Sequence, residues 1–345
     1  MIKLAIDGMG GDFAPEPIVK GSIEALNKYD NIEIILFGDQ EKMAPYLIEH
    51  DRLKVIHTES YLDMGVENPV FEFRNNKEHS LFKAMQYVKD GHADAVVTAG
   101  PTQAVVVGGQ LILKKMKKMK RVAIAPIIPS YDRQGKLMLD SGANVDLEAE
   151  HILDLAIYAS IVAEEVLKRN KPKVALINIG EEEGKGRALD REAYELLKNN
   201  KNINFVGNIE PKEVFTHEAD VLVTDGFTGN IVMKSMEGTA KGLGMILERE
   251  IKSKLRNKIG YLFMKPALKN FKKSLDASEI GGALVIGLNH TLIKAHGSSN
   301  DFAFYNAIRQ AKEMVEKDVI NKVSKILNEE EWLNERIFKN IKHSI

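Results

Sequence analysis

The sequence predicts an α/β fold, a Rossmann-like layered sheet flanked by helices, and three observations carry that prediction. Short runs rich in Val, Ile and Leu recur along the chain, as in strands of a parallel sheet covered on both faces. Most of these runs give way to a glycine-containing loop, and several of the loops lead straight into a stretch with helical spacing. The clearest change of period lies between Val221–Leu222–Val223 and the series Ile231, Ser235, Thr239, Leu243 and Ile246. Without repeats, low-complexity tracts or a clean linker, the 345 residues are expected to form a single large catalytic unit of interlocked lobes.

Composition narrows the function. Lysine and arginine number 48 against 49 acids, so no global field favours nucleic acid, and any charge argument has to be local. The chain has no cysteine, which excludes disulfides, thiolate zinc sites and a cysteine nucleophile and fits a reducing cytoplasm. "MIKLAIDG" enters a strand pattern directly, so no leader is expected, and no apolar run approaches the ~18 residues needed to cross a bilayer.

In chain order, Leu4–Ile6 reads as a strand, "DGMGGDFAPEP" as a loop and Ile18–Leu26 as a helix. Gly8, Gly10 and Gly11 do not make the dinucleotide fingerprint, so no nicotinamide cofactor is expected. Asp7 and Asp12 flank these glycines and either bind a metal or hold the loop through side-chain turns, the second being the simpler use. Strands are expected at 32–37, 53–56, 95–97, 122–128, 136–139, 173–179 and 203–206. Helices are expected near 80–89, 147–168, 190–198 and 302–327. Between 281 and 300 two short strands lead into "AHGSSN", where His296 is either a proton carrier, an anion donor or a hydrogen-bonded spacer. Dense metal-ligand spacing is missing, and no structural metal is expected.

Two loops point to an anion. "TDGFTGN" places Gly226, Gly229, Asp225, Thr228 and Asn230 after a strand and before a helix, where free helix amides and the dipole favour negative charge. Asp225 is out of place beside an anion unless it handles a proton, repels the wrong ligand, or merely caps the helix with Thr228. "GEEEGKGR" is not a Walker motif, yet Lys185 between two glycines at a strand end suits a cation reaching over a phosphate; an exposed loop lysine is the plainer reading.

Two stretches are locally basic. Lys114, Lys115, Lys117, Lys118, Lys120 and Arg121 make either a solvated helix end or a dock for an acidic partner. Ile251–Leu275 carries eight lysines and arginines and no acid. Its apolar stripes, Ile251, Leu255, Ile259, Leu262 and then Leu268, Phe271, Leu275, predict a protruding basic amphipathic hairpin over 251–275. The break is expected near Gly260–Pro266, with Leu262 and Phe263 entering an anionic membrane surface. Packing on the protein body or receiving an acidic carrier are the competing uses. Gly238, Gly242 and Gly244 inside the preceding helix predict a tight helix contact, such as a dimer interface.

Read together, "AIDGMGGDFAP", "DSGANVD", "TDGFTGN" and "IKAHGSSN" resemble the bacterial phosphate acyltransferases of the PlsX type, over nearly the whole chain. The resemblance implies a homodimer whose fold is similar to phosphate acetyltransferases and isopropylmalate dehydrogenase-like enzymes. It implies transfer of an acyl group from acidic acyl carrier protein to inorganic phosphate, giving acyl phosphate for phospholipid synthesis, without a cofactor. A glycerol-phosphate acyltransferase downstream would consume the product. Site residues implied are Asp7, Gly10, Gly11, Asp12, Gly142, Asn144, Lys185, Asp225, Thr228, Gly229, Asn230, His296 and Ser298. At 98–104 the family's "SAGNTGA" is replaced by "TAGPTQA", with Pro101 and Gln103 in place of Asn and Gly. A dehydrogenase of the same fold would need a nucleotide fingerprint or metal carboxylates. A non-catalytic membrane regulator would need only the basic hairpin.

Overall fold

A computed structural model describes residues 1–274 and 281–328 and shows two sheets sharing one core. The first sheet contains β1 (Ile2–Asp7), β2 (Ile32–Gly38), β3 (Leu53–His57), β4 (Ala95–Thr98) and β5 (Ala123–Ala125). The second contains β6 (Ile127–Ile128), β7 (Lys136–Leu139), β8 (Lys173–Ile177), β9 (Asn204–Ile209) and β10 (Val221–Val223). The chain then returns to the first sheet for β11 (Ala283–Ile286) and β12 (Thr291–Lys294). The orders are β3-β2-β1-β4-β12-β11-β5 and β6-β7-β10-β8-β9. β1 to β4 and β12 run parallel, as do β7 to β10, while β5 and β6 pair antiparallel with their neighbours.

The expected single strand 122–128 is two strands in two sheets. Pro126 has no N–H with which to continue a ladder, so the chain leaves the first sheet at Ala125 and joins the second at Ile127.

The helices are α1 (Glu16–Lys28), α2 (Gln40–Met43), α3 (Pro69–Asn75), α4 (Ser80–Lys89), α5 (Thr102–Gly108), α6 (Ala149–Glu165) and α7 (Ala188–Asn199), followed by α8 (Gly226–Ser253), α9 (Leu255–Ser274) and α10 (Asp301–Glu316). α1 and α10 lie together because Gly21 lets the backbones meet: a Cβ there would come 2.6 Å from the Asp301 carbonyl. The helix expected over 302–327 is interrupted at Asp318, which has φ +52°, and residues 319–328 form a second helical stretch. One apolar cluster runs from Leu4 and Ile18 through α6 to Val221, and a smaller cluster lies on each sheet, around Ile35 and Val96 on the first and around Met138 and Leu222 on the second.

α8 and α9 depart from this compact plan. Of the 28 residues in α8 only Gly226, Gly229 and Val232 are buried. The break comes at extended Lys254, with φ −138° and ψ 146°, rather than near Gly260–Pro266 as the spacing suggests. Pro266 lies inside α9, forgoing one backbone bond without ending the helix. Leu262 and Phe263 are 67% and 83% exposed, at mid-helix and not at a hairpin tip. The second stripe's Leu275 and the mixed tail after 328 lie outside the described residues. Within this chain nothing comes within 4 Å of a Cβ at Gly238, Gly242 or Gly244, so the expected close packing is not made internally.

Candidate active site

The sequence-predicted site residues fall into two groups, each at the carboxyl ends of parallel strands, where open α/β sheets bind ligands. The first group lies where β1, β4 and β12 end. Asp7 is buried and accepts from the hydroxyls of Ser80 and Thr98 at 2.7 Å each, and from the Met9 amide at 3.3 Å. Asp7 thus ties the first loop to the start of α4 and the end of β4. Burial pushes its carboxyl above the usual range, opposed by the Ser80 and Thr98 hydroxyls and the Met9 and Gly10 amides. A Cβ at Gly10 would collide with the Asp7 carboxylate and the Gly100 amide, so glycine is required for the loop to cross β4's end. The Asp12 amide donates to the Gly297 carbonyl at 2.8 Å, which joins the first loop to "HGSS".

His296 is exposed, and its Nδ1 lies 2.8 Å from Ser298 Oγ and accepts from the Ser298 amide at 3.2 Å. An amide can only donate, so Nδ1 is the acceptor in the contact with the Ser298 amide. Lys294, not singled out by sequence, completes the group. Its ammonium donates to the Ala295 carbonyl at 3.0 Å, and burial pushes it down to about 8, with the charge of Asp12 opposing.

The second group lies where β7, β8 and β10 end. Asp140, fully buried, accepts through Oδ1 from the amides of Ile124, Gly142 and Ala143, and through Oδ2 from the Asn144 amide at 2.7 Å and its side chain at 2.8 Å. Burial raises its pKa, and these donors offset part of that rise. Asn144 also donates to the Val122 carbonyl at 2.7 Å, so the "SGAN" turn is pinned to the residue that leads into β5 of the first sheet. Gly142, at φ +117°, faces Asn230. Side chains at Gly226 or Gly229 would strike the backbone of Asn144 or Asp140, and only glycine lets α8 begin this close to the turn.

Asp225 caps α8, accepting from the Thr228 amide at 2.9 Å and its hydroxyl at 3.0 Å. A third donor is Arg187, whose Nη2 reaches Asp225 and also Asp190 at 2.8 Å. Burial pushes Asp225 up, but the guanidinium and Thr228 prevail and hold its carboxyl below the usual range. Arg187 is half exposed, so part of its guanidinium stays open to solvent. Sequence reasoning passed over it although it stands two residues from Lys185. Lys185 itself is 51% exposed, with Nζ 3.9 Å from Glu182, and its carbonyl accepts from Asn178. The arrangement offers a guanidinium, a helix start with amides lacking intrahelical partners, and the Asn230 side chain, donors of the kind that suit an anion.

The model of a family described as "Fatty acid synthesis protein" matches residues 2–322. A phosphate acyltransferase of Acholeplasma laidlawii (strain PG-8A) is 54% identical over 329 residues, covering 95% of this chain and 98% of that relative. The chain belongs to the phosphate acyltransferase family. It is an acyltransferase by that membership, and a phosphate acyltransferase of Bacillus cereus (strain G9842) is 41% identical over 95% of this chain and 99% of its own. Among solved structures, a phosphotransacetylase from Streptococcus pyogenes has TM-score 0.63 at 18% identity, covering 91% of this chain and 94% of that one. A branched-chain phosphotransacylase from Enterococcus faecalis V583 has TM-score 0.56 at 15% identity over 91% and 99%. At such identity these two speak for the fold, which is the one the sequence predicted. Among the described residues no helix is long and apolar enough to cross a membrane.

Proposed function

We propose that this acyltransferase moves a long-chain acyl group from acyl carrier protein to inorganic phosphate, and that the acyl phosphate feeds phosphatidic acid synthesis through a glycerol-phosphate acyltransferase. The observation that carries the reading is the Arg187–Asp225 pair at the start of α8, beside Asn230 and the "SGAN" turn. A phosphate oxygen attacks the thioester carbonyl, the C–O bond forms, and the C–S bond breaks to release the carrier's thiolate. Arg187 and the first-turn amides hold the phosphate, and Lys185 reaches it from the same loop. Asn230 or a backbone amide stabilises the oxyanion. A carboxyl held below its usual range is a poor base, so Asp225 acts by orienting Arg187.

Two features of the α8–α9 arm extend the reading. Exposed Leu243, Ile246 and Leu247 on α8 suit a second copy of the chain, and basic α9 with Leu262 and Phe263 suits an anionic membrane on its cytoplasmic side. The deciding assay follows long-chain acyl-carrier thioester with and without phosphate. Thioester loss should require phosphate and yield acyl phosphate. Phosphate-independent loss, or an acyl group trapped on the protein, overturns the reading.

A further inference from the structure

A second basic surface lies apart from the arm. No Asp or Glu occurs between Asp94 and Asp132, and the six cations of this stretch fall at 114–121. Lys114, Lys115, Lys117, Lys120 and Arg121 are all exposed.

The backbone beneath them is built rather than loose. Lys114 takes φ +66°, and its carbonyl accepts from the Asn289 amide at 3.0 Å. The Asn289 side chain donates to the Lys115 carbonyl at 3.0 Å, and the Met116 amide to the Gly287 carbonyl at 3.0 Å. Met116 and Met119 are buried, so the loop turns its apolar residues inward and its basic ones outward, with Lys120 paired to Glu150 of α6 at 2.6 Å and Lys114, Lys115, Lys117 and Arg121 beside it. Gly287, at φ +88°, permits this fit because a Cβ there would come 2.6 Å from the Arg121 carbonyl. The loop then enters Val122, whose carbonyl holds Asn144, and Ile124, whose amide holds Asp140. A partner seated here touches the segment that positions the "SGAN" turn.

We propose that residues 114–121 form the docking surface for the acidic carrier protein that delivers the acyl chain, which rests on the function proposed above. Charge complementarity selects this occupant over a membrane: the arm bears large exposed apolar residues that a bilayer would take up, whereas this loop bears none between Lys114 and Arg121. A preordered backbone lowers the ordering cost of docking, and concentrated like charge steers an acidic protein on encounter. Individual exposed ion pairs contribute little, so the effect belongs to the set.

The test is a Lys114→Glu, Lys117→Glu variant of the full chain, assayed with acyl-carrier protein and with a pantetheine thioester of the same acyl chain. KM for the carrier substrate should rise about ten-fold or more, chiefly through slower encounter, with kcat kept. Added salt should raise the wild-type KM and leave the variant's flat, turnover of the pantetheine thioester should not change, and Lys114→Arg, Lys117→Arg should behave as wild type. An unchanged carrier KM overturns the proposal, as does equal loss with both thioesters or loss of anionic-vesicle flotation with carrier kinetics intact. If the wild type shows no phosphate-dependent turnover of acyl-carrier thioester, the function beneath the proposal fails instead.

Discussion

Asp225 is 1% exposed and has three donors, of which Arg187 alone brings charge. Arg187→Ala should cost about 1.5–3 kcal/mol of stability, the range for a charged hydrogen bond, and lower turnover about 100-fold or more. Because Asp225 acts through Arg187, the acid limb that its protonation gives the wild type should be missing from the variant's residual rate; normal turnover with that limb retained excludes the pairing from the mechanism. Lys185→Ala, whose ammonium already stands in solvent beside Glu182, should fold normally and raise the phosphate KM. Lys294 gives a prediction of opposite sign. Its pKa falls from 10.5 to about 8, so the buried charge costs on the order of 3 kcal/mol at neutral pH. That cost is fully present below pH ~8 and fades as pH rises toward 10.5, because the unfolded chain then holds the proton that the folded one has released. Lys294→Met should therefore melt higher than wild type at pH 7, with a smaller gain at pH 9.5. An equal gain at both pH values would show that packing and not charge is responsible.

At the scale of elements, the glycines of α8 divide by environment. Gly229→Ala forces a methyl into the Asp140 carbonyl and should disrupt both the helix start and the "SGAN" turn. Gly242→Ala meets nothing within the chain and, by helix propensity alone, should add about 0.8–1 kcal/mol. Gly242→Leu should instead reduce self-association by sedimentation if that surface is where two copies meet, and an unchanged dimer would remove α8 from the interface. These elements were legible in sequence to differing degrees. Ser80–Lys89 and Lys136–Leu139 have the expected bounds, because buried runs and helical spacing are local signals. The division at Pro126 was not legible, since whether proline ends a strand or transfers it to another sheet depends on residues far along the chain. The continuity of α9 across Pro266 was misread because lost hydrogen bonding weakens a helix without deciding where it stops. In the site, glycine loops announced themselves, whereas Arg187 and Lys294 acquire meaning only through Asp225 and Asp12, distant in sequence.

For the molecule as a whole, the arm is the feature that reaches beyond the core. Flotation with anionic vesicles should require the arm, weaken with salt, and fail for Leu262→Glu, Phe263→Glu while soluble turnover persists. Equal flotation of that variant would remove α9 from membrane contact. The strand order has a separate consequence, for birth rather than action. β12 and β11 stand between β4 and β5, yet among the described residues they are the last strands to be made, after the whole second sheet. On the ribosome, β4 and β5 therefore wait from Ala125 until Lys294 has emerged. At 5–20 residues per second that interval is on the order of ten seconds or more. Through it, two unpaired apolar edges stand open on a chain whose second lobe can already be closing. A nascent chain halted before β11 should thus bind holdase chaperones strongly at the first sheet, and one extended past α10 should release them.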